Sequence, residues 1–434
     1  MMNYLEYWMR MTRCALTGGR LYYIWLGVLG FFLAIGGFSY HHHLVAGLEV
    51  TNMSDQVSWG IGIANFVYFV GVAASAVLLV YPAYVKGNKD IKEVVILGEQ
   101  LAFTAIVMCL LFISTDIGRP ERLWHLIPLI GGQLNLPSSL LAWDVVVFNV
   151  YLALNLHIPG YLLYMRYKGE KPQPYFYLPL VFVSIFFAVS IHTVTAFLLS
   201  GLGTRYFWNT AIMAPRFLIT AFAVGPALLT IIFEIINRQT KLHVKPSVFA
   251  YLLNIMKVTL PINLFLLGCE LFKELYPNTI HALSARYLFF GLDGHNMLTK
   301  FIWTATAFNI LSTIIVVVPR LRSDRRIFLG ACVMTIIGIW IEKGMGLIFP
   351  GFIPTPLGEI VEYVPNMGEI FVCLGVVSLG ALMFTITTKV AIAILTDELV
   401  MEKEEIYEPR YVNQDWTESK PPSSWKKWFS SSWQ

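Results

Sequence analysis

Ten apolar segments, each close to 20 residues long, constrain this chain more than any other feature of its sequence. A helix that spans a bilayer needs about 20 mostly apolar residues, and it satisfies its own backbone polar groups where no water is present. We therefore expect an all-α integral membrane protein with about ten transmembrane helices. The segments lie near 21–39, 58–81, 95–115, 138–163, 177–200, 211–236, 249–272, 297–318, 328–349 and 371–396.

The composition excludes a single large soluble fold. Of the 434 residues, 56% are hydrophobic and only 13% are charged, whereas soluble domains are about one quarter charged. Aromatic residues make up 15%, which suits belts at two membrane interfaces. The net charge of +4 is too small to indicate nucleic acid as a partner.

The basic residues are distributed by loop, and this predicts the orientation. Segments 10–20, 86–92, 166–171, 238–245 and 320–326 hold 16 Lys and Arg residues, whereas the alternate loops hold few and loop 40–57 holds none. Basic loops face the cytoplasm. We expect both termini there, in the cytoplasmic membrane of a prokaryote.

Cysteine and histidine spacing gives no sign of a metal or haem site. The five cysteines are far apart and form no CxxC pattern, so a zinc site or an iron–sulfur cluster within this chain is not expected. Only His157 and His192 fall inside apolar segments, at opposite faces, so they do not pair as haem ligands. The run His41–His43 is placed in an outer loop, either solvated or as ligands for a partner's metal or haem.

Polar groups inside spans are costly, and each is therefore a candidate for function. Most lie toward the extracytoplasmic side: Asn65, Tyr68, Asp116, Asp144, His192, Arg216, Glu270, Glu342 and Lys343. A smaller set, with Glu99, Asn155, His157, Glu234, Asn254 and Lys257, lies near cytoplasmic helix ends. That set fits two interpretations, side chains that snorkel to the interface or an inner proton path. For such a path the candidates are Glu234, Lys257 and His157, with Glu270 and Glu342 on the outer side.

An outer polar pocket among aromatic helices suits a quinone head group. Quinone chemistry needs hydrogen bonds to two oxygens and a proton carrier nearby. The chain shows no P-loop and no nucleophile motif of the usual kinds. Two other functions stay open, a secondary transporter or ion channel and a passive membrane anchor for redox partners.

Several motifs resemble the NrfD/PsrC family of membrane subunits of iron–sulfur oxidoreductases. Trp59–Phe66 reads WGIGIANF, Phe112–Arg122 reads FISTDIGRPER, and Asn135–Ser139 reads NLPSS ahead of Trp143 and Asp144. A further set is most similar to the DsrP-type members of DsrMKJOP complexes: SIHTVTAF at 190–197, FWNTAIMAPRFL at 207–218, YLFFGLDGHN at 287–296 and WIEKG at 340–344. The resemblance runs from about residue 15 to 396.

The resemblance implies two four-helix bundles plus two peripheral helices, and menaquinone bound near the outer face as substrate, with no haem or iron–sulfur cluster in this chain. It also implies a multi-subunit menaquinol oxidoreductase of sulfur-linked metabolism, with proton translocation as an added option. The implied partners are an extracytoplasmic ferredoxin-like iron–sulfur subunit, a multihaem cytochrome c, a b-type cytochrome membrane subunit, a cytoplasmic iron–sulfur subunit and lipids. The expected divisions are 1–20, 21–57, 58–200 and 201–349 for the N-terminal segment, first helix and two bundles, then 350–396 and a charged tail at 397–434.

Residue roles follow from depth and chemistry. His192 is the expected partner of a quinone oxygen, because imidazole titrates near neutral pH, and Asp144 beside Trp143 is the expected proton donor. Asn65 and Tyr68, three residues apart on one helix face, are expected to line the pocket.

The remaining candidates each have two interpretations. Asp116 and Arg119 form an ion pair that either shapes the pocket or only clamps the helix. Arg216 either lines the pocket or binds a lipid phosphate or a partner loop. Glu342 and Lys343 either neutralise each other or serve in function. The tail 397–434, acidic first and ending in Trp and Lys residues, is either disordered or a strap on a partner or on lipid headgroups.

Overall fold

The computed structural model describes residues 2–401, and ten helices in that part of the chain are long and apolar enough to cross a membrane. This confirms the all-α membrane fold. Two shorter helices accompany the spans, one before the first span and one between the seventh and the eighth. The bounds are α1 (Met2–Leu16), α2 (Arg20–Ala46), α3 (Ile61–Val85), α4 (Val95–Asp116), α5 (Leu140–Tyr167), α6 (Pro174–Ser200), α7 (Met213–Gln239), α8 (Pro246–Leu275), α9 (Ala282–Phe290), α10 (Thr299–Val317), α11 (Arg325–Phe352) and α12 (Met367–Leu395).

Most spans extend beyond their apolar segments, and one prediction fails for this reason. Hydropathy marks the part of a helix that lies in hydrocarbon, whereas the helix continues until the backbone is stopped. In α2 the stop is Gly47, whose φ of 85° favours glycine. His41, His42 and His43 therefore lie in the last turns of α2 and not in an outer loop, and His43 is buried.

Side-chain caps fix where several spans begin. The Ser139 hydroxyl accepts the Ala142 amide at the start of α5, and Asp324 accepts two amides at the start of α11. Asn366 and Glu369 form a capping box at the start of α12. These side chains satisfy amide groups that have no partner within the helix.

The spans pack as two groups of four. The first group is α3, α4, α5 and α6, and the second group is α7, α8, α10 and α11. The groups meet where α3 and α6 contact α7, and where α3 contacts a π-helical turn of α11 at Ile341–Met345. Helices α2 and α12 pack on each other, and α12 packs on α4 outside the first group.

The basic loops lie together at one end of the molecule. Lys245 contacts both Asp90 and Glu93 at 2.9 Å, which joins the two groups at that end. The Ser247 hydroxyl and the Lys245 ammonium lower the pKa of Asp90. The cytoplasmic assignment of this end stays a prediction.

The described residues include the beginning of the charged tail. Arg166 lies 3.3 Å from Asp397, Glu398 pairs with Lys241, and the Met401 amide donates to the Tyr167 carbonyl at 2.8 Å. The predictions for the acidic and Trp-rich parts of the tail fall on 402–434, outside the described residues.

Candidate functional site

Asp144 and His192 are buried on neighbouring helices, α5 and α6, near the end of the molecule opposite the basic loops. This end is called the outer end, after the orientation predicted from charge. Thr195 lies one turn after His192 on the same face of α6, and its hydroxyl donates to Asp144 Oδ1 at 3.1 Å. Asp144 Oδ2 and both ring nitrogens of His192 have no hydrogen-bond partner of normal geometry, and the Ala188 backbone one turn earlier lies near the His192 ring. Buried polar atoms of this kind are uncommon in folded proteins. They leave an acid oxygen and an imidazole free to bind a ligand.

Lys343 enters this region from the second group. Its ammonium lies 3.4 Å from the Phe217 carbonyl and 4.2 Å from the centre of the Phe217 ring, and it is close enough to His192 and Cys109 for charge interaction. Gly71 leaves room for it, since a Cβ there would lie 3.2 Å from Nζ. Glu342 and Lys343, which the sequence offers either as a self-neutralising pair or as functional groups, make no direct salt bridge, since Lys343 turns to Phe217 and Glu342 to Arg216. The charge of Glu342 still acts on Lys343.

Asn65 and Asp116 organise the start of α3. The Trp340 indole donates to Asn65 Oδ1 at 2.9 Å, and Asn65 donates to the Ile61 carbonyl at 3.0 Å. The Asp116 carboxylate faces the amides of Gly60 and Ile63, while its Oδ2 has no partner.

The predicted ion pair between Asp116 and Arg119 is wrong. After Ile117 the chain leaves the helix in an extended conformation, and Arg119, with 72% of its side chain exposed, lies 3.7 Å from Glu121. Tyr68, by contrast, is buried in α3, where its ring contacts Phe69.

The outer surface next to Asp144 holds a shallow depression of ≈ 460 Å³, lined by Asn135, Leu136, Ser138 and Ser139. Trp143 is 38% exposed at this surface, and its indole donates to the Pro137 carbonyl at 3.1 Å. The NLPSS motif therefore forms a shallow surface depression just before the helix that carries Asp144.

Arg216, Glu270 and Glu342 form a separate buried cluster in the second group. Arg216 Nη2 donates to Glu342 Oε1 at 2.8 Å, and its Nη1 pairs with Glu270 Oε2. Asn309 and Asn263 donate to Glu342 Oε2 at 2.7 and 3.3 Å. Arg216 is 8% exposed, so its predicted role in binding lipid phosphate or a partner loop is wrong. The surrounding helices, distant in sequence, enclose it.

The candidates for an inner proton path do not form one continuous row of side chains. Glu234 pairs with Arg238 at 2.6 Å and with Arg325. Lys257 donates to Asn254 at 2.9 Å. His157 is exposed on α5 and takes part in neither contact. Glu234, His157 and Lys257 thus lie in three different environments.

Four residues of the buried clusters were missed: Thr195, Asn263, Glu274 and Asn309. Thr195 lies three residues after His192 and Glu274 four residues after Glu270, spacings that put each pair on one helix face. Across the described residues, no three His, Cys, Asp or Glu side chains are grouped to hold a metal ion.

The fold and these clusters define a multi-pass helical membrane protein with buried acid, imidazole and ammonium groups between two four-helix groups. The family model for polysulphide reductase, NrfD, matches residues 49–354. The chain belongs to the NrfD family.

Two relatives are similar along most of their length. The chain is 22% identical over 412 residues to a selenate reductase subunit of Mesobacillus selenatarsenatis, covering 84% of this chain and 93% of that protein. It is 24% identical over 396 residues to the Hdr-like menaquinol oxidoreductase integral membrane subunit of Archaeoglobus fulgidus, covering 88% of this chain and 95% of the relative. The chain is therefore a membrane subunit of the kind found in respiratory redox complexes.

Proposed function

We propose that this chain is the menaquinone-reactive subunit of a respiratory complex and exchanges electrons with an iron–sulfur subunit at the outer face. The observation that carries the proposal is the pairing of Asp144 with Thr195 beside His192, with the second Asp144 oxygen and both imidazole nitrogens left without partners. Family membership and the similarity to a menaquinol oxidoreductase subunit of Archaeoglobus fulgidus support the redox class.

The residues present fit a quinol head group. A bound menaquinol supplies two electrons and two protons. Asp144 Oδ2 is placed to accept a proton from a hydroxyl, while Thr195 holds Oδ1 in position. His192 offers one ring nitrogen as donor and the other as acceptor.

The head group enters, in this proposal, through the depression at the NLPSS motif. Trp143 at its edge offers an aromatic face to the isoprenoid-bearing ring. The quinone-binding roles of Asn65, Tyr68, Asp116, Arg119 and Arg216 stay predictions. Arg119 lies on the exposed surface, where it is available to a partner subunit.

The partner set is the one that a DsrMKJOP-type assembly has. Electrons pass to or from an extracytoplasmic ferredoxin-like subunit, and the complex also holds a multihaem cytochrome c, a b-type cytochrome and a cytoplasmic iron–sulfur subunit. Sulfur-linked metabolism and proton translocation belong to the same proposal. The ion pairs of Glu234 give no support to an inner path through that residue.

The test is quinol oxidation by the purified complex that carries His192→Ala or Asp144→Asn. Removal of a positioned proton-transfer group costs about 10²-fold in turnover, and we expect a loss of that order with the complex still assembled. Turnover is followed with a menaquinol analogue and an artificial acceptor.

Thr193→Ala is the matched control for both variants. Thr193 follows His192 directly, but its hydroxyl only donates to the Val189 carbonyl of its own helix, so turnover should stay normal. Normal kinetics in both site variants would instead indicate a passive anchor.

A further inference from the structure

A small cavity lies inside the second helix group, away from the proposed quinone site. Its ionisable lining is Arg216, Glu270, Glu274 and Glu342, and the other lining residues are apolar or glycine. Its volume, measured as room for the centres of water molecules, is ≈ 20 Å³. That is space for about one occupant the size of a water molecule.

The cavity is near the outer end of the second group. Glu270 and Glu274 belong to the last two turns of α8, whose other end begins at the basic loops. Lys273, with 42% of its side chain exposed, donates to Glu274 Oε1 at 2.7 Å and to the Asn209 carbonyl at 3.2 Å. A thin rim therefore separates the cavity from the outer surface.

Two carboxylate oxygens in this cavity have no partner. They are Glu270 Oε1 and Glu274 Oε2, and the residues are 3% and 0% exposed. Four positions apart, the two side chains share one face of α8. An ionised carboxylate only accepts hydrogen bonds, so the two oxygens present acceptors to the same small space.

The charges around the cavity are unequal. Among the described residues that line it, Arg216 is the sole cation, and it is shared between Glu270 and Glu342. The Lys273 ammonium meets Glu274 from the exposed side, and the Lys343 ammonium points instead to the Phe217 carbonyl. From α9 and α10 the lining residues are apolar.

Glu342 is the one carboxylate here with full compensation. Its Oε1 accepts from Arg216, and its Oε2 accepts from Asn263 and Asn309. Glu270 and Glu274 are therefore left with the excess negative charge. Two like charges in a buried site are strongly unfavourable, and such sites take up a compensating charge.

We propose that Glu270 and Glu274 together bind one small monovalent cation, either a shared proton or a sodium ion. A proton taken from solvent forms one O–H bond on a carboxylate, and that hydroxyl then donates to the facing oxygen, with no electrons transferred. A sodium ion would occupy the same space and be coordinated by the same oxygens. Either occupant removes the excess charge, which a lone water molecule does not.

The test is infrared spectroscopy of the full-length protein in lipid nanodiscs, which detects the carbonyl stretch of protonated carboxyl groups. Unmodified protein, Glu270→Gln and Glu274→Gln are titrated with pH in sodium chloride and in choline chloride. We expect each variant to lose one protonated-carboxyl band that the unmodified protein has in choline chloride. This measurement needs no quinone, so its result does not depend on whether the proposed quinone function is correct.

The two salts distinguish the occupants. A band of equal size in both salts identifies the proton, and a band that disappears when sodium replaces choline identifies a sodium site. Glu234→Gln is the matched control, because Glu234 is a buried carboxylate of the same group that pairs with Arg238 and Arg325, and it should remove no such band. If neither cavity variant differs from the unmodified protein in either salt, the cavity holds only water and the proposal is wrong.

Discussion

Glu362 joins three parts of the outer surface through one carboxylate. It accepts the Tyr287 hydroxyl at 3.0 Å and the Met297 amide at 2.9 Å, and it lies 3.3 Å from His295 Nδ1. Burial raises the pKa of Glu362, but these three donors outweigh it, so the pKa lies below the ordinary value of 4.5. Burial and the contact with Glu362 also raise the pKa of Tyr287, which stays a neutral donor.

The lowered pKa of Glu362 makes the stability of this surface depend on pH. In the unfolded chain the carboxyl binds a proton near its ordinary value of 4.5, whereas in the folded chain it does so only at lower pH. Its contribution is therefore complete above pH 4.5 and is lost as the pH falls below that value. Thermal unfolding in detergent at neutral and acidic pH measures the loss.

Glu362→Gln should weaken this pH dependence and lower stability at neutral pH by about 2 kcal/mol, the size of hydrogen bonds to a charged group. The exposed Glu359 lies three residues earlier, and Glu359→Gln serves as its control. An acid sensitivity in Glu362→Gln as steep as in the unmodified protein would contradict the assignment.

At the residue scale the sequence identified polar groups by depth but not by partner. Asp144 and His192 are predictable because they interrupt apolar segments at the same level, and the structure places them on adjoining helices. The pairing of Arg216 with Glu342 is not predictable, because two residues separated by 126 positions leave no local sequence pattern. Proximity in sequence suggests a pair of Arg119 with Asp116, but it ignores the change of direction at Ile117.

At the element scale the number of spans was predictable, because bilayer thickness sets a minimum apolar length. The ends of the helices were not predictable, since α2 and α5 continue beyond their apolar segments until a turn residue or a polar cap stops them. The π turn at Ile341–Met345 was also not predictable. It leaves hydropathy unchanged, yet it lies where α11 contacts α3 and carries Lys343.

Helices α2 and α12 approach each other closely at Gly36 and Gly375. A Cβ on Gly36 would lie 2.6 Å from Gly375 Cα and 2.7 Å from the Phe371 carbonyl oxygen. Both are backbone atoms, so no side chain can move to relieve the contact, and small residues at such crossings let helices approach closely. Gly36→Ala should separate the two helices and cost about 2 kcal/mol, as overpacking does.

Gly37 is the matched control for that substitution. It is the next residue of the same helix, and a Cβ there meets nothing within 4 Å. Since alanine favours helix more than glycine does, by about 1 kcal/mol, Gly37→Ala should be neutral or stabilising. Comparison of the two midpoints of thermal unfolding in the same detergent decides the matter, and equal midpoints would mean that the crossing tolerates a methyl group.

At the scale of the whole molecule, the four-plus-four arrangement came from family resemblance, because hydropathy counts spans without ordering them in space. The contacts of α3 with α7 and α11 create the region between the groups where Lys343 approaches His192. The acidic cavity lies away from this region, within the second group of helices. The molecule thus separates a candidate redox site from a candidate cation site, each near the outer end of its own group.

The orientation of the whole molecule is the remaining prediction from charge. The loops with 16 basic residues meet at one end, and basic loops of this kind stay in the cytoplasm. Ser323→Cys and Asp55→Cys each place a thiol at an exposed loop position, at opposite ends of the molecule.

In a Cys269→Ser background the other four cysteines are buried, so a membrane-impermeant maleimide reports only the new thiol. Intact spheroplasts should label Asp55→Cys, whereas Ser323→Cys should react only after the membrane is opened. The reverse pattern would place the basic loops outside. The Asp144 and His192 end would then face the cytoplasm, and an extracytoplasmic iron–sulfur partner could not reach it.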